Sequence, residues 1–394
     1  MQCGRWTVFF IVCAIALCLT SLGPLTQVQA AGFNPVTGAT FNNPTGTPEQ
    51  QYAILNQLKR SINAAPRGSV IRMAFFSLSV QSFSDTLIAA HARGVNVQLI
   101  MDNHDIRPQW TSLQTALGAD TKARSFAITC TNGCLSGHAG ALMHAKLYLF
   151  STSGSAKKVA TVSSANPTYA QATSAFNNAY TVVGDTELYN SYYHYFNDMV
   201  SGSRGKLQPD YYRVIKSSIY TSYLFPRPGH DVSKDTIYSI LSNVKCSNAA
   251  KGYGTTNGKT VIQVAMLEWT KARVDIAKKL WSLDDAGCRV EIITNVPTID
   301  SEIMAALQKR GGRHSNPTVR DAVKGKYHVH HKYFTINGNY AGDTSSKLVF
   351  TGSHNFTNQG LRYNNDILLK IRSNSAYQSY DDNFSQLRAY AAAR

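Results

Sequence analysis

The chain has 394 residues, 43% hydrophobic and 16% charged, which fits a globular protein with a substantial core and excludes a mainly disordered chain. Its 39 basic and 23 acidic residues give a net charge of +16. Such a charge attracts polyanions, namely nucleic acid, anionic lipid or acidic wall polymers, but many secreted proteins are simply basic. Charge alone leaves both interpretations open.

Residues 1–30 are predicted to form a signal peptide. Arg5 supplies a positive charge, residues 6–19 are apolar but too short for a comfortable membrane span, and residues 28–30 fit a small-x-small cleavage site. We therefore expect cleavage after Ala30 and a secreted, extracellular protein. Lipidation at Cys18 is the less favoured alternative, because Leu17 stands where a lipobox has a small residue. No later apolar run approaches about 18 residues, so no membrane span is expected in the mature chain.

A strand–helix–strand pattern occurs twice in the remaining sequence. The first copy follows a capped helix start at Thr47 and comprises a strand at 69–76, a helix at 85–93 and a strand at 95–102. The second copy has a strand at 260–267, a helix at 274–285 and a strand at 289–295. The distance between the two copies along the chain is that of a whole domain, which indicates duplication of a domain.

The repeated pattern predicts an α/β fold with duplicated α-β-α layers. Two similar lobes, with mostly parallel or mixed sheets, are expected to face each other around one shared active site. The predicted boundaries are an N-terminal linker at 31–46, a first lobe at 47–205, a connecting segment at 206–227 and a second lobe at 228–394.

Four cysteines remain after the predicted signal peptide: Cys130, Cys134, Cys246 and Cys288. An even number in an exported protein favours disulfides, and the short Cys130–Cys134 loop favours pairing within each sequence pair. A metal site made of all four thiolates is the alternative, although Cys246 and Cys288 lack the usual ligand spacing.

Each half contains one His-x-Lys motif on a predicted strand. His144 and Lys146 lie in the run 142–150, and His330 and Lys332 lie in the run 328–334. Strand alternation places each histidine and its lysine on one face. Each run is followed by a second strand and a short polar motif, which is Ser164-Ala-Asn166 in the first half and Gly352-Ser353-His-Asn355 in the second.

These residue types suit the cleavage of a phosphodiester. Two lysines and two asparagines can bind the non-bridging oxygens of the phosphate. Two histidines on opposite sides of phosphorus can act as nucleophile and as proton donor to the leaving oxygen. One His-x-Lys motif is a weak signal, but two at matching places in a duplicated chain indicate a catalytic site.

On these motifs the chain resembles the phospholipase D superfamily over about residues 47–387. The superfamily pattern is His-x-Lys, four residues and Asp, then Gly-Ser-x-Asn and later an Asn-x-acid pair. The second half also matches the last element, with Asn364 and Asp366. The departures are Ser151 and Asn337 at the motif Asp positions, Ser163 for Gly, and Ala179 where the first-half acid is expected.

The resemblance implies a two-step reaction through a phosphohistidine, without metal or cofactor. Its implied catalytic residues are His144, Lys146, Asn166, His330, Lys332, Asn355 and Asp366, and its implied substrate-binding residues are Ser164 and Ser353. By family analogy His144 is the nucleophile and His330 the acid/base. The sequence alone argues the reverse, because Asp366 is the single acid available and is expected beside His330, so both assignments stay open.

The motifs predict the reaction class but not the substrate. We expect a phospholipase D that hydrolyses or transfers the headgroups of a phospholipid membrane surface. A metal-independent nuclease acting on DNA or RNA is the second hypothesis, and a decayed polyanion-binding protein is the third. No obligate protein partner is expected, and the protein is predicted to be a monomer. A zinc site at His328 and His330 lacks a third ligand at useful spacing.

Overall fold

The computed structural model describes residues 1–2, 4, 32–229, 231–309, 311–312 and 316–392. The chain divides into two compact units, Met1–Gly32 and Phe33–Arg394, and all elements below belong to the second unit. Almost all of the predicted signal peptide lies outside the described residues. None of the helices in the described ranges is long and apolar enough to cross a membrane.

The second unit contains strands and helices in an α/β arrangement. The strands are β1 Gly38–Phe41, β2 Val70–Phe75, β3 Asn96–Asp102, β4 Phe126–Cys130, β5 Leu147–Ser153, β6 Ala156–Ser163, β7 Ala175–Phe176, β8 Asn178–Val183, β9 Arg213–Ser217, β10 Tyr220–Leu224, β11 Val244–Lys245, β12 Val261–Met266, β13 Arg289–Thr294, β14 Thr318–Asp321, β15 His328–Val329, β16 Lys332–Tyr340, β17 Asp343–Gly352 and β18 Ile367–Arg372. The helices are α1 Pro48–Gln51, α2 Ala53–Asn63, α3 Gln81–Ala92, α4 Pro108–Leu117, α5 Tyr169–Thr173, α6 Thr186–Ser203, α7 Thr236–Leu241, α8 Val274–Asp285, α9 Ser301–Leu307, α10 Asn358–Arg362 and α11 Asn374–Ala392.

Two large mixed sheets share one arrangement of seven strands, to which the second sheet adds β9 and β11. In the first, the order is β1-β8-β6-β5-β2-β3-β4, and in the second it is β9-β10-β18-β17-β16-β12-β13-β14, with β11 beside β16. In both sheets the three strands at one end are parallel and the other pairs are antiparallel. The match between the two sheets confirms the predicted duplication and the α/β fold class.

Helices cover the sheets in layers. The first lobe packs α2, α3 and α4 against one sheet around Phe83 and Trp110, and the second packs α7, α8 and α9 against the other around Leu280 and Ile303. A third core cluster contains residues of both sheets and of α6 and α11, such as Phe196 of α6. The aromatic face of α6 is therefore part of the core.

Local sequence signals account for several element boundaries. Thr47 caps α1 in a capping box with Gln50, with Pro48 in the first turn, and the helix restarts as α2 after Tyr52. The predicted helix at 274–285 coincides with α8. The predicted linker and connecting segment contain β1, β9 and β10, which pair with the two sheets, while the lobe boundaries themselves stay a prediction.

The His-x-Lys motifs do not lie within strands as predicted. β5 begins at Leu147 and β16 at Lys332, so His144 and His330 both precede the strand. The reason is that the backbone here pairs with the other lobe. Met143 forms a parallel bridge with Asn365, and β15 pairs in parallel with β7. These two crossings join the lobes at the motif histidines.

The four cysteines lie in the predicted pairs. The S–S distance is 2.01 Å for Cys130–Cys134 and 2.04 Å for Cys246–Cys288. The first disulfide closes the loop after β4, and the second links the segment after β11 to the start of β13.

Candidate active site

His144 is held by residues of the second lobe. Its backbone N–H donates to the carbonyl oxygen of Asn365 at 3.0 Å. Its Nδ1 lies 2.9 Å from Oδ1 of Asp366, a side chain with no exposed surface. Asp366 immediately precedes β18, so the position of this carboxylate is fixed by the second sheet. The arrangement orients the His144 ring and leaves Nε2 free of this contact.

His330 is held in the same way by the first lobe. Its backbone N–H donates to the carbonyl oxygen of Phe176 at 2.9 Å, and its Nδ1 lies 2.8 Å from Oδ1 of Asn177. The Asn177 Nδ2 group donates to the carbonyl oxygens of Gln171 and Ala175, both at 3.1 Å. A carboxylate at this position would face two carbonyl oxygens, which explains the amide.

The prediction that Asp366 is the partner of His330 is therefore wrong. Asp366 was expected beside His330, but it lies against His144 because each histidine crosses to the other lobe. Ala179 is also not the position of the missing acid. Equivalent residues follow from the strand pairing, which joins Ser163 to Ala179 and Gly352 to Leu368. The counterpart of Asp366 is thus Asn177, two residues before Ala179.

The two motif serines support these partners. Ser164 Oγ donates to Asn177 Oδ1 at 3.0 Å, and Ser353 Oγ donates to Asp366 Oδ1 at 2.5 Å. Both serines are buried. Their hydroxyl groups donate to the residues that orient the histidines, and the substrate-binding role implied by the resemblance stays a prediction.

Both motif lysines are buried beside their histidines. Lys146 Nζ donates to the His144 carbonyl at 2.5 Å, and Lys332 Nζ donates to the His330 carbonyl at 2.8 Å. Burial lowers the pKa of Lys146 to about 7. Burial, with the nearby Lys146, lowers the pKa of Lys332 well below its usual range. Two ammonium groups held close together repel each other, so a bound anion would favour their charged forms.

The same surroundings lower the pKa of both imidazoles. Burial and Lys146 lower the pKa of His144, although Asp366 opposes this effect. Burial and Lys332 lower the pKa of His330 further, and Lys146 and His144 add to the shift. These interactions across the lobes mean that both histidines and both lysines occupy one site. Burial raises the pKa of the Asp366 carboxyl, but His144, His354 and Lys146 together lower it below its usual value.

The motif asparagines complete the site and bring in residues without a motif. Asn166 Oδ1 accepts the N–H of Phe76 at 3.1 Å, and Asn355 Nδ2 donates to Glu268 Oε2 at 3.1 Å. Gln171 Nε2 lies 3.4 Å from His330 Nε2. Sequence reasoning missed Phe76, Gln171 and Glu268, because only the fold brings them to the histidines.

Residues that depart from the family pattern have structural roles here. Ser151 Oγ accepts the N–H of Val70 at 2.8 Å, and Asn337 Oδ1 accepts the N–H of Gly254 at 2.9 Å. His331 is buried, and its Nδ1 lies 3.0 Å from Asn178 Oδ1. Burial lowers the pKa of His331 to about 3.

Within the described ranges, no three His, Cys, Asp or Glu side chains form a group suited to a metal ion. The absence of metal and cofactor from the reaction remains a prediction.

Comparisons with known proteins agree with this description. A family model described as "Cardiolipin synthase, PLD-like domain" matches residues 58–200 and 256–388, more than half of the chain. No curated protein matches it. Among solved structures, phosphatidylserine synthase from Haemophilus influenzae Rd KW20 aligns with a TM-score of 0.56 and 12% identity, over 90% of this chain and 88% of that one.

Two further solved structures align. Polyphosphate kinase from Porphyromonas gingivalis gives a TM-score of 0.58 and 12% identity over 90% of this chain, which spans 50% of the kinase. Nuc from Salmonella typhimurium, a phospholipase D family member, aligns at 17% identity and a TM-score of 0.32 over 46% of this chain and 99% of its own. At such identities these likenesses concern the fold alone.

Proposed function

The chain belongs to the phospholipase D-like family, whose model covers both of its halves, and on that premise we propose that it is a phosphodiesterase acting through a phosphohistidine. The observation that carries the proposal is the crossed pairing of His144 with Asp366 and of His330 with Asn177. Two imidazoles from different lobes, beside two buried lysines, suit displacement at one phosphorus atom.

The unequal partners support an assignment of roles. Attack by Nε2 of His144 on phosphorus places positive charge on its ring, and the Asp366 carboxylate stabilises that charge. The Asn177 amide offers no such charge, so protonated His330 gives up its proton readily. We therefore assign His144 as the nucleophile and His330 as the general acid.

The proposed reaction has two steps. First, the His144 Nε2 lone pair forms the P–N bond, the bond between phosphorus and the leaving oxygen breaks, and His330 protonates that oxygen. Second, His330 takes a proton from water as the water oxygen attacks phosphorus, and the P–N bond breaks. An alcohol in place of water gives transfer. We assign the binding of the non-bridging oxygens to Lys146, Lys332, Asn166 and Asn355.

The substrate that we propose is a phospholipid headgroup ester, and we propose that the protein is secreted. The secreted location rests on the signal-peptide pattern in residues 1–30. The net charge of +16 favours a second candidate, a nuclease, because phosphate neutralisation dominates nucleic-acid affinity.

To test the proposal, the purified protein is incubated with phospholipid micelles and, separately, with single-stranded DNA, each in excess chelator. We expect phosphatidate to form at an unchanged rate with chelator, because the lysines and histidines supply the charge that a metal provides elsewhere. Cleavage of DNA but not of lipid would support the nuclease. Restoration of a lost rate by a divalent metal would contradict the mechanism, and binding of both without turnover would indicate a decayed site.

A further inference from the structure

A cavity of about 480 Å³ adjoins the His330 side of the site. It is lined by Leu267, Glu268, Asn295, Thr298, Val323, Gly325 and His328. Its walls are continuous with the catalytic groups, because Glu268 accepts a hydrogen bond from Asn355. Asn295 in turn bonds the backbone N–H and carbonyl of Val329, next to His330, at 3.0 and 2.8 Å. The volume falls within the range of small-molecule sites.

The charge of this cavity is opposite to that of the whole protein. Among its described lining residues Glu268 is the only Asp, Glu, Lys or Arg. Lys324 and Lys326 flank Gly325, but their ammonium groups lie over the rings of Tyr390 and Tyr327. Burial, together with Asp300 and Asp366, raises the pKa of Glu268, while Lys332 opposes the shift. A cation in the cavity would stabilise the ionised carboxylate.

The first lobe has a different residue at the position equivalent to Glu268. Ala74 pairs with Leu147 and Ala265 pairs with Tyr333, each next to its motif lysine, so Glu268 is the counterpart of Ser77. Ser77 Oγ donates to Asp105 at 3.4 Å, and the neighbouring Phe76 ring stacks on His104 with centroids 3.8 Å apart. The first lobe thus has a hydroxyl where the second has Glu268, and the carboxylate bonded to that hydroxyl, Asp105, is paired with Arg107 at 2.6 Å.

We propose that this cavity receives the leaving alcohol and that Glu268 selects an alcohol bearing a quaternary or primary ammonium group. The inference rests on the proposed function, in which His330 protonates the leaving oxygen. In-line displacement places that oxygen opposite His144, and hence on the side of the cavity. A neutral polyol would add no positive charge beside Glu268, and a polynucleotide would bring a second negative charge toward it.

The first experiment compares phosphatidylcholine with phosphatidylglycerol of the same acyl chains, each dilute in neutral detergent micelles. We expect kcat/KM to favour the choline ester about tenfold, as for one charged hydrogen-bonding or ionic contact. Glu268→Gln keeps an acceptor for Asn355 and should reduce this preference to about twofold or less. The control is Glu302→Gln on α9, which removes an exposed negative charge that is paired with Lys271 in the same lobe. It should retain the wild-type preference.

A second measurement needs no variant. Choline and its uncharged isostere 3,3-dimethylbutan-1-ol are compared as inhibitors of the wild-type protein at equal ionic strength. We expect choline to inhibit at about tenfold lower concentration. Equal inhibition, or a headgroup preference unchanged by Glu268→Gln, would overturn the inference and leave the phosphodiesterase proposal intact. Failure to cleave either lipid would instead refute the lipid function itself.

Discussion

At the scale of single residues, the central feature is the unequal support of two otherwise equivalent histidines. His144 has a buried carboxylate partner and His330 has a buried amide. Since one charge difference near an imidazole can change its pKa by one to three units, about 1.4–4 kcal/mol, the two rings differ in chemistry although their backbones match. Under the proposed mechanism, this difference makes His144 the nucleophile and His330 the acid without any difference in fold.

Replacing the carboxylate should damage the first chemical step. Asp366→Asn keeps the shape of the side chain but removes the charge that stabilises the phosphorylated His144 ring. We expect kcat to fall on the order of 10²-fold or more, as for orienting carboxylates of other catalytic histidines. Turnover of a phosphodiester measures it, with the surface variant Asp343→Asn as a control. A rate within threefold of wild type would argue against His144 as the nucleophile.

The pH dependence of kcat/KM should be displaced to acid. Neutral His144 is required, so activity rises as the pH passes its lowered pKa; protonated His330 is required, so activity falls as the pH passes its own lowered pKa. Lys146, with a pKa of about 7, also loses its charge on the alkaline side. We therefore expect a bell-shaped profile with its maximum below about pH 6.5, the ordinary histidine pKa. A maximum above pH 7.5 would contradict this.

At the scale of elements, regular patterns were predictable and contacts between halves were not. The helix at 274–285 and the capped start at Thr47 follow from local spacing and agree with the structure. The strands at the motifs begin later than predicted, because residues before Leu147 pair with the other lobe. The partner of each histidine was mistaken for the same reason. Glu268 has no local signal, since its relevance depends on packing alone.

The disulfide loop after β4 should affect catalysis. The N–H groups of Cys134 and Leu135 donate to Asn365 Oδ1 at 2.6 and 3.4 Å, next to Asp366. We expect Cys130→Ser with Cys134→Ser to lower kcat by about tenfold through displaced Asp366, as for other residues that orient a catalytic partner.

The second disulfide provides the matched control. Its cysteines are 42 residues apart, against 4 for the first, so loop entropy predicts losses in unfolding free energy of about 4 and about 2 kcal/mol. Cys246→Ser with Cys288→Ser should therefore lower stability more but leave kcat near wild type. Denaturant unfolding and assays well below both transitions measure the two effects. Equal effects of the two pairs on kcat would contradict the positioning role.

At the scale of the whole molecule, one site requires both lobes. His144→Ala and His330→Ala should each reduce turnover by several orders of magnitude, because residues that act as a unit are not additive. A nitrophenyl ester needs little protonation of its leaving group, so it should partly rescue His330→Ala and not His144→Ala. The opposite rescue would exchange the two roles. Half of the activity in each variant would mean two independent sites.

The crossed pairing also sets an order in time for the appearance of activity. His144 precedes Asp366 by 222 residues along the chain. At about 5–20 residues per second, translation needs on the order of 10 s or longer to supply that carboxylate. Until β18 is made, the nascent first lobe holds a histidine without its partner, and under the proposed mechanism it is inert toward the phosphodiesters around the ribosome. Under this mechanism hydrolytic activity begins only after the second lobe has been synthesised, so a partly synthesised chain does not cleave the phosphodiesters of the cell.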